Sequence, residues 1–402
     1  GDFSDHLDVL NLSLGQEFGT ADSDVAEGAA NAARAGVLVV AAAGNAGETY
    51  GVVSAPGSLP SAISVAACEH ASALNSNLVP DHLAGFSSRG PGIRAFDQVI
   101  PKPDLAAPGV GIVSAALGPP ALGNDRRTLN GTSMATPHAA GAAALAVQLH
   151  PDWTPAEIKA LMMNTASPTV FVYKSSGGGS WPAPPTSGGA GRLALAEWNA
   201  ARVIAYADEE LVSASFGALD VDFPETAEFT REIHLKNFGE SAANYAVALA
   251  SLEAVPGVTV SLDAAAVNVP AQGKASVTLR LKIDASKLEQ PRERTAAAKY
   301  GAYYRHYLTE VMGAVRFTAQ EDGPDLGVPY YAVVRPVGAV VPGVSALVEG
   351  KMPATLPLEG TRVAVAGAHP VNAQVSPFEL LYRSPAIDVE AHAQIADLQY
   401  VG

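Results

Sequence analysis

The sequence predicts an α/β domain built on a parallel sheet, followed by an all-β sandwich and the start of a further β-rich unit. Three observations carry that prediction. Over the first half of the chain, short continuous apolar runs alternate with helix-like segments, as in βαβ units. Near Asp208 the pattern changes to period-two alternation, which suits strands with one buried face. The chain has 402 residues, 48% hydrophobic and only 16% charged, which fits two or three folded domains rather than disorder. The expected units are 1–207, 208–336 and 337–402.

In chain order, Asp8 to Ser13 reads as a strand. Asp24 to Ala35 reads as a helix with Asp24 as N-cap and Glu27 three residues on, stopped by Gly36. Val37 to Ala43 is an unbroken apolar strand of the kind covered on both faces, and Ala62–Ala67 and Gly111–Ala115 look similar. Ser133 to Leu149 is an Ala-rich helix with few charges, expected to be buried. Thr154-Pro155-Ala156-Glu157 supplies an N-cap, a first-turn proline and a capping glutamate for the next helix. Lys174 to Gly191, rich in Gly, Ser and Pro, reads as a surface loop, and Leu193 to Ala205 as a further helix. Beyond Asp208, Phe229–Lys236, Tyr245–Leu249, Ala275–Ile283 and Pro329–Val334 read as sandwich strands.

The 25 Lys and Arg against 40 Asp and Glu give a net charge of −15, which argues against nucleic-acid and anionic-lipid partners. The single cysteine, Cys68, excludes an internal disulfide and a cysteine-based zinc cage, and it is expected to be buried and inert. No apolar run approaches the roughly 20 residues that span a bilayer. The chain starts at Gly1 without a leader and stops in strand-like sequence, so both ends read as cut.

Three segments carry chemistry. They are Asn11-Leu-Ser13-Leu14-Gly15, Ala42-Ala43-Gly44-Asn45-Ala46-Gly47, and Gly131-Thr132-Ser133-Met134-Ala135-Thr136-Pro137-His138. A serine at a helix start places its own unpaired N–H, and the positive end of the helix dipole, beside a reacting carbonyl. On its own Ser133 would read as a helix N-cap and Asn45 as a turn residue. Ala135 stands where an esterase Gly-x-Ser-x-Gly elbow needs glycine.

Together these segments resemble the subtilases, the subtilisin-like serine endopeptidases, over about residues 8 to 205. Phe86-Ser-Ser-Arg-Gly-Pro91, Lys102 to Gly109 and His150 to Pro155 add to the likeness. The resemblance implies peptide-bond hydrolysis through an acyl-enzyme on Ser133, with Asn45 and the Ser133 N–H as the oxyanion hole. It further implies that Ser13, Leu14, Gly15, Ala42, Ala43, Gly44 and Thr132 line the substrate site. Neither wall segment carries a charge, which favours an apolar substrate residue. Plain strand packing is the other reading of each wall residue.

Subtilases place an Asp and a His-Gly-Thr-His-type histidine ahead of these segments, and here only ten residues precede Asn11. None of the nine histidines has that context, and His138, five residues past Ser133, falls some 140° round the helix by the roughly 100° step per residue. His138 is therefore expected in the core or behind the site. The catalytic Asp and His are expected in a missing upstream segment. The chain alone should then be inactive and poorly folded, with a hydrophobic sheet edge exposed. The resemblance implies a protein or peptide substrate, an extracellular or cell-surface location and no required cofactor. Asp2, Asp5 and Asp8 read first as a solvated acidic loop and second as the tail of a loop holding a structural calcium. The sandwich resembles the fibronectin-type-III-like domain that trails some subtilases, and no catalytic cluster is visible in it. The alternative is a non-catalytic pseudo-peptidase, or a binding module acting through the β domains.

Overall fold

The structure is a computed structural model. It describes residues 6–19, 23–70, 81–93, 99–117, 125–173, 179–208, 210–296, 299–300, 303–304, 308–338, 340–342 and 358–360. Residues Gly1–Ala366 form one compact unit, and residues 367–402 lie outside the described residues.

The N-terminal half is built on a parallel sheet of β1 (Val9–Leu12), β2 (Leu38–Ala42), β3 (Ile63–Cys68) and β6 (Leu105–Pro108), in the order β1-β2-β3-β6. The register is set by pairs such as Asn11 with Val40, Ala41 with Ser64 and Ala66 with Ala106. Every residue of β2 and β3 is buried, as expected of strands covered on both faces. Burying Leu38, Val39 and Val40 contributes roughly 1.5–3 kcal/mol each. One face carries α1 (Asp24–Arg34) and the other α2 (Thr132–Leu149) and α3 (Pro155–Asn164). The inner face of α2 is Ala135, Ala139, Ala142, Ala143 and Ala146, whose small side chains let the helix lie close against the sheet. Trp198, fully buried, fills the gap between α2 and α3, and its indole N–H donates to Thr165 Oγ1 at 2.8 Å.

Several sequence-based expectations change here. The N-cap of α1 is Ser23, whose hydroxyl accepts from the Ala26 N–H, not Asp24. Gly111–Ala115 is not a sheet strand. β7 (Ile112–Ala115) pairs antiparallel with β8 (Arg126–Leu129) in an exposed hairpin, and the fourth sheet strand is β6. The short pair β4 (Gly92–Ile93) and β5 (Val99–Ile100) precedes it. The expected loop from Lys174 is, where described, partly ordered: β9 (Phe171–Tyr173) pairs with β10 (Ser180–Pro182), and a buried turn, α4 (Pro185–Gly188), follows. The expected helix over Leu193–Ala205 is a short 3-10 turn at Trp198–Ala200 and then strand β11 (Val203–Tyr206). The capping box at Thr154 and Glu157 is present as expected.

The C-terminal half is a β-sandwich. One sheet has the order β11-β13-β17-β15, with β13 (Thr226–Asn237), β15 (Val258–Leu262) and β17 (Lys274–Asp284). The other has the order β12-β21-β20-β14-β16, with β12 (Ala214–Asp222), β14 (Ala243–Ser251), β16 (Ala266–Val269), β20 (Glu310–Ala319) and β21 (Leu326–Val337). Alternation along β17 buries Val277, Leu279, Leu281 and Ile283 against Val315, Phe317 and Val328 of the facing sheet. The aromatic segment near Tyr300 forms a small hairpin of β18 (Lys299–Tyr300) and β19 (Tyr303–Tyr304). The further β-rich region expected from 337 lies mostly outside the described residues. What is described of it past β21 includes the pairing of β22 (Val340–Pro342) with β23 (Leu358–Gly360).

Several contacts join the two halves. β11 belongs to the sandwich although it precedes the expected boundary at 207. Asn164, at the end of α3 and 2% exposed, donates to the Ala205 and Gly327 carbonyls and accepts from the Ala205 N–H. Trp153 stacks on Phe238 at 4.1 Å, and Lys236 reaches Glu157 at 2.6 Å. Among the described residues no helix is long and apolar enough to cross a membrane.

Beneath the sheet two ammonium groups share one carboxylate. Lys102 Nζ donates to Asp104 Oδ2 at 2.6 Å, and Lys159 Nζ lies 3.4 Å from Asp104 Oδ1; all three side chains are buried. Burial lowers the Lys102 pKa to about 7, with Asp104 pulling the other way and Lys159 adding to the fall. The ordinary value is 10.5, so above about pH 7 the unfolded chain binds more protons than the folded one, and stability rises with pH. Cys68, pushed up from 9.0 to about 12 by burial, opposes this above about pH 9. Urea unfolding should therefore show stability climbing from about pH 7 to about pH 9, and Lys102→Met should flatten the climb. Parallel pH profiles for the two proteins would refute Lys102 as the source.

Candidate active site

The site forms where β2 ends and α2 begins. Strand β2 runs into Ala43, Gly44 and Asn45, and α2 opens after Gly131. Gly44 has φ +105°, and a Cβ there would lie 2.3 Å from Ser54 Oγ and 2.7 Å from Ser88 Oγ, so only glycine fits. Gly131, at φ +154°, is again a conformation side chains rarely adopt.

Asn45 and Thr132 lock the two segments together. The Thr132 N–H donates to Asn45 Oδ1 at 2.9 Å, and the Thr132 hydroxyl donates to the same oxygen at 3.1 Å. That hydroxyl accepts from the Gly44 N–H at 3.2 Å. Because two donors fix Oδ1, the Asn45 Nδ2 amide is left on the outer side, and Asn45 is exposed.

The first turn of α2 shows which donors remain. Thr132 N–H goes to Asn45, and the N–H groups of Met134 and Ala135 both go to the Gly131 carbonyl at 3.0 and 3.3 Å. The Ser133 N–H has no acceptor among the described residues. It stands at the positive end of an 18-residue helix with no acidic residue in its first turn. Ser133 itself is half-buried. The structure thus brings Ser133 and Asn45 to one place with two free N–H donors, an arrangement suited to an oxygen carrying negative charge.

The flanking segments meet through Ser54 and Ala55. Gln16 and Ala55 exchange backbone hydrogen bonds at 3.1 and 3.0 Å, and the Ser54 N–H donates to the Ala43 carbonyl at 2.8 Å. This joins Ser13-Leu14-Gly15 to Ala42-Ala43-Gly44. Ser13 accepts from Asn11 Nδ2 at 3.0 Å, and Leu14 and Gly15 are exposed. Ala42, Ala43 and Thr132 are buried, supporting the segment from behind. Sequence reasoning missed Ser54 and Ser88, which wedge against Gly44. Ser88 lies in the Phe86–Pro91 run noted above, but nothing there indicated its contact, and Ser54 carries no sequence signal.

His138 is not in the core. It is exposed, with Nδ1 at 2.9 Å from the Met134 carbonyl oxygen. His150 reaches the Trp198 carbonyl at 3.0 Å, and His82 reaches Ser180, so both are engaged elsewhere. His306, His369 and His392 lie outside the described residues, as do Asp2 and Asp5 of the expected calcium loop. Asp8 is exposed, 3.9 Å from His6, and among the described residues no three His, Cys, Asp or Glu are grouped to hold a metal ion.

The subtilase family model matches residues 3–215, more than half of the chain, and the chain belongs to that family. It is similar to serine protease AprX of Bacillus subtilis (strain 168), 36% identical over 173 residues, covering 39% of this chain and 37% of that protein. Alkaline elastase YaB of Bacillus sp. (strain YaB) is 38% identical over 161 residues, covering 40% and 35%. Subtilisin of Bacillus pumilus is 38% identical over 167 residues, covering 41% and 51%. The chain therefore spans between about a third and a half of the length of these relatives. The solved structure of sphericase aligns at 31% identity with a TM-score of 0.36, covering 46% of this chain and 56% of that one.

Thr132 gives this site a direct test. Thr132→Val removes the hydroxyl that bridges Asn45 and Gly44 and leaves a buried N–H unmatched, which should cost about 1–3 kcal/mol in urea unfolding. Thr132→Ser should recover most of the loss. Equal stability of the valine variant and the parent would show that the bridge does not hold the site.

Proposed function

We propose that this chain carries the nucleophile and oxyanion half of a serine endopeptidase of the subtilisin type. The single observation behind the reading is the pair of free donors, Ser133 N–H and Asn45 Nδ2, beside the half-buried Ser133 hydroxyl at the start of α2. In the proposed reaction Ser133 Oγ attacks the carbonyl carbon of a peptide bond while a base takes its proton. The oxygen that becomes negative is held by the two donors. The C–N bond then breaks, the amine leaves with the proton from the base, and water hydrolyses the acyl-enzyme by the reverse proton transfer.

The base and the carboxylate that orients it are assigned to polypeptide outside the 402 residues, since none of the nine histidines has a His-Gly-Thr context and, among the described ones, His138, His150 and His82 are bonded elsewhere. On this reading the chain by itself is inactive. The substrate is a protein or peptide laid against Ser13-Leu14-Gly15 and the backbone of Ala42-Ala43-Gly44, whose lack of charge favours an apolar side chain. The steps need no cofactor, and a calcium on Asp2, Asp5 and Asp8 would have a structural role only. We read the sandwich as a fibronectin-type-III-like accessory domain and the natural location as extracellular or on the cell surface. The second reading, a non-catalytic binding protein, is favoured by the engagement of those histidines away from Ser133.

A fluorophosphonate probe separates the two. The polypeptide extended by its upstream segment should be labelled at Ser133 and should hydrolyse peptide substrates, whereas Ser133→Ala and the 402-residue chain alone should not. Asn45→Ala should lower kcat by about 10²–10³, the size known for this kind of donor in subtilisin itself rather than one obtained from this geometry. An extended polypeptide that is neither labelled nor active would leave the binding reading standing.

A further inference from the structure

A buried ion cluster lies where the parallel-sheet half meets the sandwich. Arg89 is 2% exposed. Its guanidinium donates to Glu293 Oε2 at 3.1 Å, Glu310 Oε2 at 3.0 Å and Thr295 Oγ1 at 2.9 Å, and it lies 4.6 Å from the centre of the Tyr50 ring. Glu310 is filled on both oxygens, by Tyr50 Oη at 2.9 Å and Tyr331 Oη at 3.0 Å. Burial holds the Glu310 carboxyl above its ordinary range, with Arg89 pulling the other way. Such a cluster is a weak source of stability, because desolvation offsets most of the attraction. Its guanidinium fork is, however, directional, and fixes how two bodies sit against each other.

What it fixes is the loop that carries Asn45. The Ser88 N–H donates to the Gly44 carbonyl at 3.0 Å, and the Ala46 N–H donates to Ser88 Oγ at 2.9 Å, so Asn45 is bracketed by one neighbour of Arg89. The Gly47 N–H donates to the Phe86 carbonyl at 2.9 Å, and the Arg89 N–H to the Gly47 carbonyl at 3.0 Å. The Val52 N–H returns to the Arg89 carbonyl at 3.2 Å. Tyr50, in the same loop, stacks on Arg89 and bonds Glu310. The loop 44–52 thus reaches the sandwich directly through Tyr50, and through Arg89 by the backbone bonds at Gly47 and Val52.

We propose that Arg89 is a positioning residue for the Asn45 donor, and that Glu293 and Glu310 of the sandwich hold it in place. The sandwich is then a working part of the site and not an appendage. The kinetic side of this inference rests on the peptidase reading; the positional side does not.

Hydrogen exchange in the 402-residue chain tests the positional side. Arg89→Met and Glu310→Gln should each speed exchange of the Ala46, Gly47 and Ser88 amides by about tenfold or more, with the amides of β2 and β3 unchanged. Arg89→Lys, which keeps the charge and loses the fork, should fall between. If Arg89→Met does not fold, Glu293→Gln, which removes one charge and keeps the shape, carries the same comparison. Unchanged protection in these variants overturns the proposal. The extended polypeptide tests the kinetic side. Arg89→Met should lower kcat about tenfold with KM nearly constant, and the loss should vanish in an Asn45→Ala background, because both changes act through one donor. Additive losses would make Arg89 merely structural and also overturn the proposal. An extended parent that is unlabelled and inactive would count against the peptidase reading alone, since the exchange result stands without it.

Discussion

One oxygen atom ties the candidate site together. Asn45 Oδ1 accepts from both the N–H and the hydroxyl of Thr132, and so connects the end of a buried strand to the start of a buried helix. Every other feature of the site follows from that bond. It uses the first free N–H of α2, it turns Nδ2 outward, and with the Gly131 carbonyl taking Met134 and Ala135 it leaves Ser133 as the unmatched donor of the turn. The amide orientation is fixed by chemistry, because an N–H and an O–H both aimed at one atom require that atom to be oxygen.

The bond can be short only because its surroundings are small. A Cβ at Gly44 would collide with Ser54 and Ser88, and a Cβ at Gly109 would lie 2.6 Å from Ala67 Cβ and 2.8 Å from the Gly131 carbonyl. Gly109 in turn accepts the Gly131 N–H at 2.9 Å, so the helix start is supported from the sheet. The alanine face of α2 serves the same end along the helix length. The sheet half spends its close packing on bringing backbones together, whereas the sandwich spends its bulk, Phe317, Tyr330 and Leu281 among others, on filling space between two faces.

The parts legible in the sequence are those determined locally. The unbroken run at Leu38–Ala42 can only be a strand covered on both faces, and Thr154 with Glu157 states its own capping box. The parts that were not legible depend on what lies across space. Ile112–Ala115 is as apolar as a sheet strand, yet the place beside β3 is taken by Leu105–Pro108, a short run ending in proline that carries no strand signal of its own. Val203–Tyr206 has no sequence mark that separates a helix end from a strand, and its pairing with β13 decides the matter. Ser133 and Asn45 stood out only through the resemblance of their segments to a family, since alone each reads as a cap or a turn residue. Arg89, Glu293 and Glu310 were not legible, because charges more than 200 residues apart read as solvated surface until the fold joins them.

The junction between the halves divides its work between two kinds of contact. Val99, Met312, Tyr331 and Val333 form a small apolar patch, whose attraction scales with area and is indifferent to small slides. A patch of that kind holds two domains near each other without fixing their angle. The guanidinium of Arg89 does the opposite, contributing little net attraction but accepting only a narrow range of carboxylate positions. Tyr331 belongs to both, with its ring in the patch and its hydroxyl on Glu310. Because Tyr331 and Glu310 stand on paired strands of one sheet, sliding the patch would pull Arg89 and Tyr50 away from Glu310 and leave a buried carboxylate without its cation, which makes the non-directional contact directional. The chain thereby converts a generic apolar interface into a fixed register, and that register reaches the Asn45 loop through the two residues on either side of it, Gly44 and Ala46.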